Sequence, residues 1–240
     1  MALPQNPDLI HSLARIDGCT IANAIETFDV RLRNTGFTDS NVRCMFDDLP
    51  PIVGYAATAR VRTADPPMEG TDYLNRTEWW NHILTIPVPR IVVVQDMDNQ
   101  PGLGAFVGEL HVSILLALGC IGVVTNGAVR DLKPIHAEGF QMLAGNVSVS
   151  HSYAHVYDFG HVVEVGHMKV APGDLIHVDT HGAQTIPMEI AAAIPAVAGE
   201  LTREKEQVIA LCRSKNFTVD KIREAIKEMK VHRRAHHHRD

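Results

Sequence analysis

The chain has 240 residues, 45% hydrophobic and 21% charged, a balance that fits one large globular domain, with or without an appendage, better than two equal ones. Its net charge of −6 speaks against a general nucleic-acid binder, whose surface must be basic to neutralise phosphates. Residues 114–124, the longest nearly apolar stretch, are too few to span a bilayer, and MALPQNPDLI has neither a basic start nor an apolar signal core, so the expected location is the cytoplasm with no membrane partner.

In chain order, residues 7–15 and 20–28 predict two short helices. GYAATARV, within 52–61, predicts a strand, and the acidic, proline-containing TADPPMEGTDYL after it an exposed loop. Trp79 and Trp80 fall in an amphipathic segment. Residues 90–95, RIVVVQ, are β-branched and predict a central strand that leads into a glycine loop. The stretch GLGAFVGELHVSILLALGCIGVVTNGAVRD, residues 102–131, is the one around which the chain is organised. Val107, Leu110, Ile114 and Leu118 recur at helical spacing on one face, Gly119 closes the helix, and 121–125 form a short buried strand. Asn126, Gly127, Arg130 and Asp131 therefore lie just past the carboxyl end of a buried strand, where open α/β sheets place ligands. Further strands are expected at 140–144, 161–165 and 174–179, so the fold is mixed, with more strand pairs than a pure βα repeat. After Pro187 come helices at 188–211, with a candidate break at Pro195, and at 219–230. The expected organisation is an α/β domain over 1–187, a helical extension of it over 188–231 and a disordered tail over 232–240, within VHRRAHHHRD, in place of a metal site or tag. Cys19, Cys44, Cys120 and Cys212 lie far apart without a CxxC pair, which speaks against a disulfide framework.

Several constellations compete for the chemistry. GLGAFVG has its third glycine misplaced for a dinucleotide fingerprint; the loop either turns the helix amino terminus onto an anion or is a tight turn needing glycine for its backbone alone. Arg130 and Asp131 with Glu109 offer a bidentate fork for a carboxylate and a hard oxygen for Mg²⁺ or Mn²⁺, against the plainer reading of a local ion pair or turn cap. His177, Asp179 and His181 in LIHVDTHGA share a face if the strand persists; a hairpin corner capped by Asp179 is the favoured reading. His151 and His155 lack the rest of a zinc-helix pattern, Lys133 has nothing to depress its pKa for imine chemistry, and Ser148 and Ser150 lack a nucleophile elbow.

VGELHVSILLALGCIGVVTNGAVRDL and APGDLIHVDTHGAQTIP resemble the signatures of the family that joins the regulator of ribonuclease E activity A to the 4-hydroxy-4-methyl-2-oxoglutarate aldolases, whose members are often mislabelled demethylmenaquinone methyltransferases. The resemblance implies an α/β/β/α sandwich of the swivelling-domain type, assembled as a homotrimer or hexamer with sites at subunit interfaces. It implies a lyase that uses Mg²⁺ or Mn²⁺ to cleave a C–C bond of a 2-oxo acid, with oxaloacetate decarboxylation through the same pyruvate enolate. Carried over, it assigns Asp131 to the metal, Arg130 to the substrate's pyruvyl end, Glu109 to metal-bound water, and the backbone N–H groups of Gly108, Glu109 and Leu110 to the substrate carboxylate. Two positions depart from the aldolase pattern: Pro134 stands where an acid is usual, and Asn23, with Glu26 close by, where an aspartate is usual. The alternative is a non-enzymatic binding protein of the ribonuclease-regulator type; the presence of Glu109, Arg130 and Asp131 together favours the enzyme.

Overall fold

The computed structural model describes residues 6–67 and 72–236. Asn6 caps helix α1 (Pro7–Leu13), its side chain accepting from the Leu9 N–H at 3.1 Å, with Pro7 placed where a missing N–H costs nothing. Asp17 caps α2 (Gly18–Thr27) in the same way through the Thr20 N–H at 2.9 Å. Then come β1 (Arg43–Cys44), β2 (Ile52–Arg62), α3 (Asp72–Thr85), β3 (Arg90–Asp96), β4 (Ala105–Val107), α4 (Glu109–Ala117), β5 (Cys120–Thr125), β6 (Ala128–Val129) and α5 (Leu132–Ala137). The chain continues through β7 (Gln141–Ala144), β8 (Asn146–Val147), β9 (His155–Phe159), the hairpin β10 (Val163–Val165) and β11 (Met168–Val170), and the hairpin β12 (Leu175–Asp179) and β13 (Gly182–Ile186). Helices α6 (Ile194–Arg213) and α7 (Val219–His236) come last.

The main sheet runs β1-β7-β5-β3-β2-β12-β13, with β9 also pairing on β2. Its middle, β7-β5-β3-β2, is parallel, and α3, α4 and α5 lie on the connections between those strands. The flanking strands pair antiparallel, which gives the mixed α/β fold expected from the sequence. Strand β3 is β-branched along its centre because both its faces are covered. Val92 and Val94 join Leu13, Ile21, Trp79 and Val112 in the core under the helices. Ile91 and Val93 face the other way, onto Val163, Val165 and Met168 of the β10–β11 hairpin. Each such buried valine or isoleucine contributes roughly 1.5–3 kcal/mol relative to exposure.

A second, three-stranded parallel sheet, β4-β6-β8, was not foreseen. Its strands form beyond the carboxyl ends of β3, β5 and β7, in segments that carry no strand pattern. It holds the residues that leave the main sheet side by side, with Val107 opposite Val129 and Val129 opposite Val147.

Three expectations change. Val107 belongs to β4 and α4 begins only at Glu109, so the helix buries Val112 and Leu115 while Leu110 is 78% exposed. Gly108 separates strand from helix, and the buried face of the helix is not the expected one. Pro195 does not break a helix but starts one: α6 begins at Ile194, with the proline in its first turn where no N–H is needed. Ile190, Ala191 and Ile194 enter the same core as the main sheet. The loop expected over 63–74 has Ala64, Asp65 and Pro66 exposed and α3 starting at Asp72; its residues 68–71 lie outside the described residues. Helix α7 runs through residues 232–236 of the tail, and 237–240 lie outside the described residues. Among the described residues no helix is long and apolar enough to cross a membrane.

Candidate active site

The small sheet builds the site. The Arg130 N–H donates to the Val107 carbonyl at 3.0 Å, extending the β4–β6 pairing and setting the start of α4 against the end of β6. Gly108 is the amino-terminal cap residue of α4 and has no side chain to accept from the helix's free N–H groups. That acceptor arrives from elsewhere: Asp131 Oδ2 takes the Glu109 N–H at 3.0 Å, and the same oxygen lies 3.4 Å from Arg130 Nε. Asp131 holds this place with φ 57, a left-handed backbone that aspartate tolerates better than most residues and that recurs at functional sites. The ion pair and the cap foreseen as the plainer reading are thus real. They leave Asp131 Oδ1, the Arg130 Nη atoms and the Glu109 carboxylate without a hydrogen bond among the described residues.

Gly108 is needed here for close approach. A Cβ on it would meet Asp131 Oδ2 at 2.7 Å and Arg130 Nε at 2.9 Å. Asp131 Oδ2 ends a movable side chain, while Arg130 Nε and Cγ, the latter at 3.2 Å, lie along one, so Gly108→Ala should fold with about 1–2 kcal/mol of lost stability while pushing the pair out of place. We expect a drop in turnover of about a hundredfold, read by comparing urea midpoints with initial rates.

A cleft of about 600 Å³ opens beside this turn. Gly108, Glu109, Leu110 and Arg130 line one part of it, and Trp80, Phe106, Ile114 and Tyr153 supply apolar wall. His111 points from α4 into its lining, with Nδ1 bonded to the Phe106 carbonyl at 3.2 Å and the ring edge-on to Phe106 and Trp79. Burial pushes its imidazole down to about 4. Because the folded value lies below the ordinary value of 6.5, the unfolded chain binds the proton more readily, and stability should fall as pH drops from about 6.5 towards 4. His82 and His177 are also lowered by burial and act in the same sense. His111→Gln should flatten part of that slope in denaturant titrations between pH 7 and pH 5; an unchanged slope would contradict it.

The competing constellations resolve. In the glycine loop the Gly102 N–H goes to Asp96 Oδ2 at 2.8 Å and the Gly104 N–H to Thr63 Oγ1 at 3.3 Å, so both glycine donors are spent inside a tight turn. Asp179 is the expected corner cap: Oδ1 accepts the His181 N–H at 2.8 Å and Oδ2 the Gly18 N–H at 2.6 Å, while His177 Nε2 bonds the Ile16 carbonyl. His155 lies in β9 with Nδ1 on the Tyr153 carbonyl, and His151 is exposed on the turn before it. Lys133 is exposed on α5, and Ser148 Oγ donates to the Leu103 and Ser150 carbonyls.

Among the described residues no three His, Cys, Asp or Glu side chains converge as a metal cage would require. A hydrated Mg²⁺ or Mn²⁺ needs only one or two carboxylates, and the uncommitted Asp131 oxygen with Glu109 at the same helix end fits such an ion.

Compared with known proteins, residues 19–184 match the RraA-like family model, described as Aldolase/RraA. This chain belongs to the RraA-like family. No curated protein matches the sequence. Among solved structures, an uncharacterized protein from Pseudomonas syringae pv. tomato str. DC3000 superposes with TM-score 0.72 at 16% identity, covering 93% of this chain and 96% of that one. Streptomyces coelicolor RraAS2, described as an unusual member of the RNase ES inhibitor RraA protein family, gives 0.66 at 20% identity, covering 85% and 96%. These likenesses show that the RraA-like chain has the RraA-like fold. Within it, Pro134 lies in α5 and carries no acid. Asn23 and Glu26 lie on α2, which packs on α6 and the β12–β13 hairpin, and neither lines the cleft. Sequence reading missed the cleft's other wall, Arg76 and Trp80 on α3 with His111; the four-residue spacing of Arg76 and Trp80 was its one available sign.

Proposed function

We propose that this RraA-like chain is a divalent-metal-dependent lyase that cleaves a C–C bond of a 2-oxo acid and releases pyruvate, as 4-hydroxy-4-methyl-2-oxoglutarate aldolases do. The observation that carries the reading is the turn at the amino end of α4, where a guanidinium with free Nη donors and a carboxylate with a free oxygen, its other oxygen pinned by the Glu109 N–H, meet at the rim of a cleft. Arg130 grips the 2-oxo acid through its planar fork. Of the three backbone donors expected there, the Glu109 N–H is taken by Asp131, which leaves the Gly108 and Leu110 N–H groups and the positive end of α4 for the substrate carboxylate. Asp131, with Glu109 through water, would hold the Mg²⁺ or Mn²⁺, which when bound supplies Lewis-acid polarisation of the ketone.

In the cleavage the C4 hydroxyl gives up its proton and becomes a carbonyl, the C3–C4 bond breaks, and its electron pair passes into the pyruvate enolate. That charge develops beside Arg130 and the α4 amino end. A proton added at C3 then completes pyruvate. Oxaloacetate loses CO₂ to the same enolate and needs no base at a C4 hydroxyl. Since Pro134 brings no acid, oxaloacetate is the simpler probe. The reading extends to a homotrimer or a multiple of it, supported by exposed apolar residues, Leu110 and Tyr153 in the cleft lining and Leu103, Val147 and Val149 elsewhere on the surface. Pyruvate release from oxaloacetate and a panel of 4-hydroxy-2-oxo acids should vanish on chelation and return with Mg²⁺ or Mn²⁺. A pyruvate adduct trapped on Lys133 by borohydride would contradict the mechanism.

A further inference from the structure

The cleavage leaves one role without a holder: a group that takes the C4 hydroxyl proton and delivers a proton to C3. Pro134 cannot fill it. Among the described residues of the cleft the choice is short. Guanidinium groups keep their protons and a phenol gives its proton up only in strong base, so Arg76, Arg130 and Tyr153 are poorly suited. Glu109 is assigned to metal-bound water, and His111 Nε2 is shut off from solvent. His151 remains, exposed and lining the same cleft as Gly108, Glu109 and Arg130.

The turn between β8 and β9 that carries His151 is firmly held. The Ala105 N–H donates to the Ser150 carbonyl at 2.8 Å, the Tyr153 N–H to the Thr63 carbonyl at 3.1 Å and the Ala154 N–H to the His151 carbonyl at 2.9 Å. A Cβ on Gly104 would meet the His151 carbonyl oxygen at 2.5 Å, so the turn lies directly against the chain entering β4. That strand also carries the other end of the site. Ser150 is tied to Ala105 and Arg130 to Val107, two residues or about 7 Å further along. Ser152 holds φ 47, a left-handed backbone of the kind that collects at functional turns. Its carbonyl lies 2.9 Å from His151 Nδ1. A carbonyl oxygen only accepts, so Nδ1 carries the hydrogen, and the neutral ring keeps a lone pair on Nε2, which has no partner among the described residues.

We propose that His151 is the proton carrier of the reaction: Nε2 takes the C4 hydroxyl proton as the C3–C4 bond breaks and returns it to C3 of the enolate. The atoms balance within one turnover. The hydroxyl becomes the carbonyl of the departing fragment, the bond pair enters the enolate, and the proton that left oxygen ends on carbon, so the imidazole starts and finishes neutral. Imidazole suits the task because it both accepts and donates a proton near neutral pH. The proposal rests on the pyruvyl group binding at the Arg130–Asp131 end.

Two reactions of the same enolate separate this role from the metal site. Decarboxylation of oxaloacetate makes the enolate without a base, whereas exchange of pyruvate methyl protons in D₂O must remove a proton from C3. His151→Gln keeps an N–H for the Ser152 carbonyl but has no basic nitrogen. With Mg²⁺ present it should slow exchange by about a hundredfold or more, and by at least about tenfold more than it slows decarboxylation. Unchanged exchange, or equal losses in the two reactions, would overturn the role of His151 while leaving the site at Arg130 and Asp131 in place. Absence of exchange in the metal-loaded wild type would overturn the lyase reading itself, and this role with it.

Discussion

Asp131→Asn should lower pyruvate formation by at least about a hundredfold while leaving the protein as stable as wild type. Asparagine keeps an oxygen to accept the Glu109 N–H and tolerates the left-handed backbone at φ 57, so the cap and the turn survive. What it lacks is the negative charge that holds a hard cation. Asp131→Ala loses the cap, about 1 kcal/mol, and places a Cβ without a compensating hydrogen bond in the left-handed region, about 1–2 kcal/mol more. It should therefore lose both activity and roughly 2–3 kcal/mol of stability. Comparing the two separates catalysis from capping. Arg130→Lys should raise KM and lower kcat together, because lysine keeps the charge without the fork. If Arg130 and Asp131 formed only a surface ion pair, all three variants would keep full activity.

Arg90→Met should destabilise the protein by about 3–5 kcal/mol, the largest loss expected from a single residue away from the apolar core. Arg90 is buried at the start of β3, and its guanidinium donates to the Ile86 carbonyl at 2.6 Å, the Leu118 carbonyl at 2.5 Å and the Leu84 carbonyl at 3.2 Å. Those carbonyls belong to the carboxyl ends of α3 and α4, where a cation also meets the negative end of each helix dipole. One side chain thus ties down both helices that flank the cleft. Methionine fills much of the stem's volume but leaves three carbonyls without their donor. Stability and activity should fall together, unlike in Asp131→Asn, and urea unfolding followed by far-UV circular dichroism would measure it. A loss under about 1 kcal/mol would show that water replaces the guanidinium.

Elements with strong local signals were legible in the sequence. The β-branched run of β3, the glycine-bounded β5 and the hairpin corner at Asp179 appear where pattern and turn chemistry place them. The placing of Arg130 and Asp131 beyond β5 followed from topology alone. The small sheet β4-β6-β8 was not legible, because strands of two or three residues have no period to detect and exist only through pairing with one another. The face of α4 was misread for the same reason: Val107 looks helical until β6 draws it into a strand. Arg90 reads as an ordinary strand residue, since its carbonyl partners are brought near only by folding.

The most direct test needs no knowledge of the natural substrate. Pyruvate incubated with the protein in D₂O reports enolate formation as loss of its methyl proton signal. With Mg²⁺ or Mn²⁺ present, the wild type should catalyse that exchange, chelation should abolish it, and Asp131→Asn should slow it by about a hundredfold. Exchange at the uncatalysed rate by the metal-loaded wild type, or exchange unaffected by Asp131→Asn, would contradict a pyruvate-forming site at this turn.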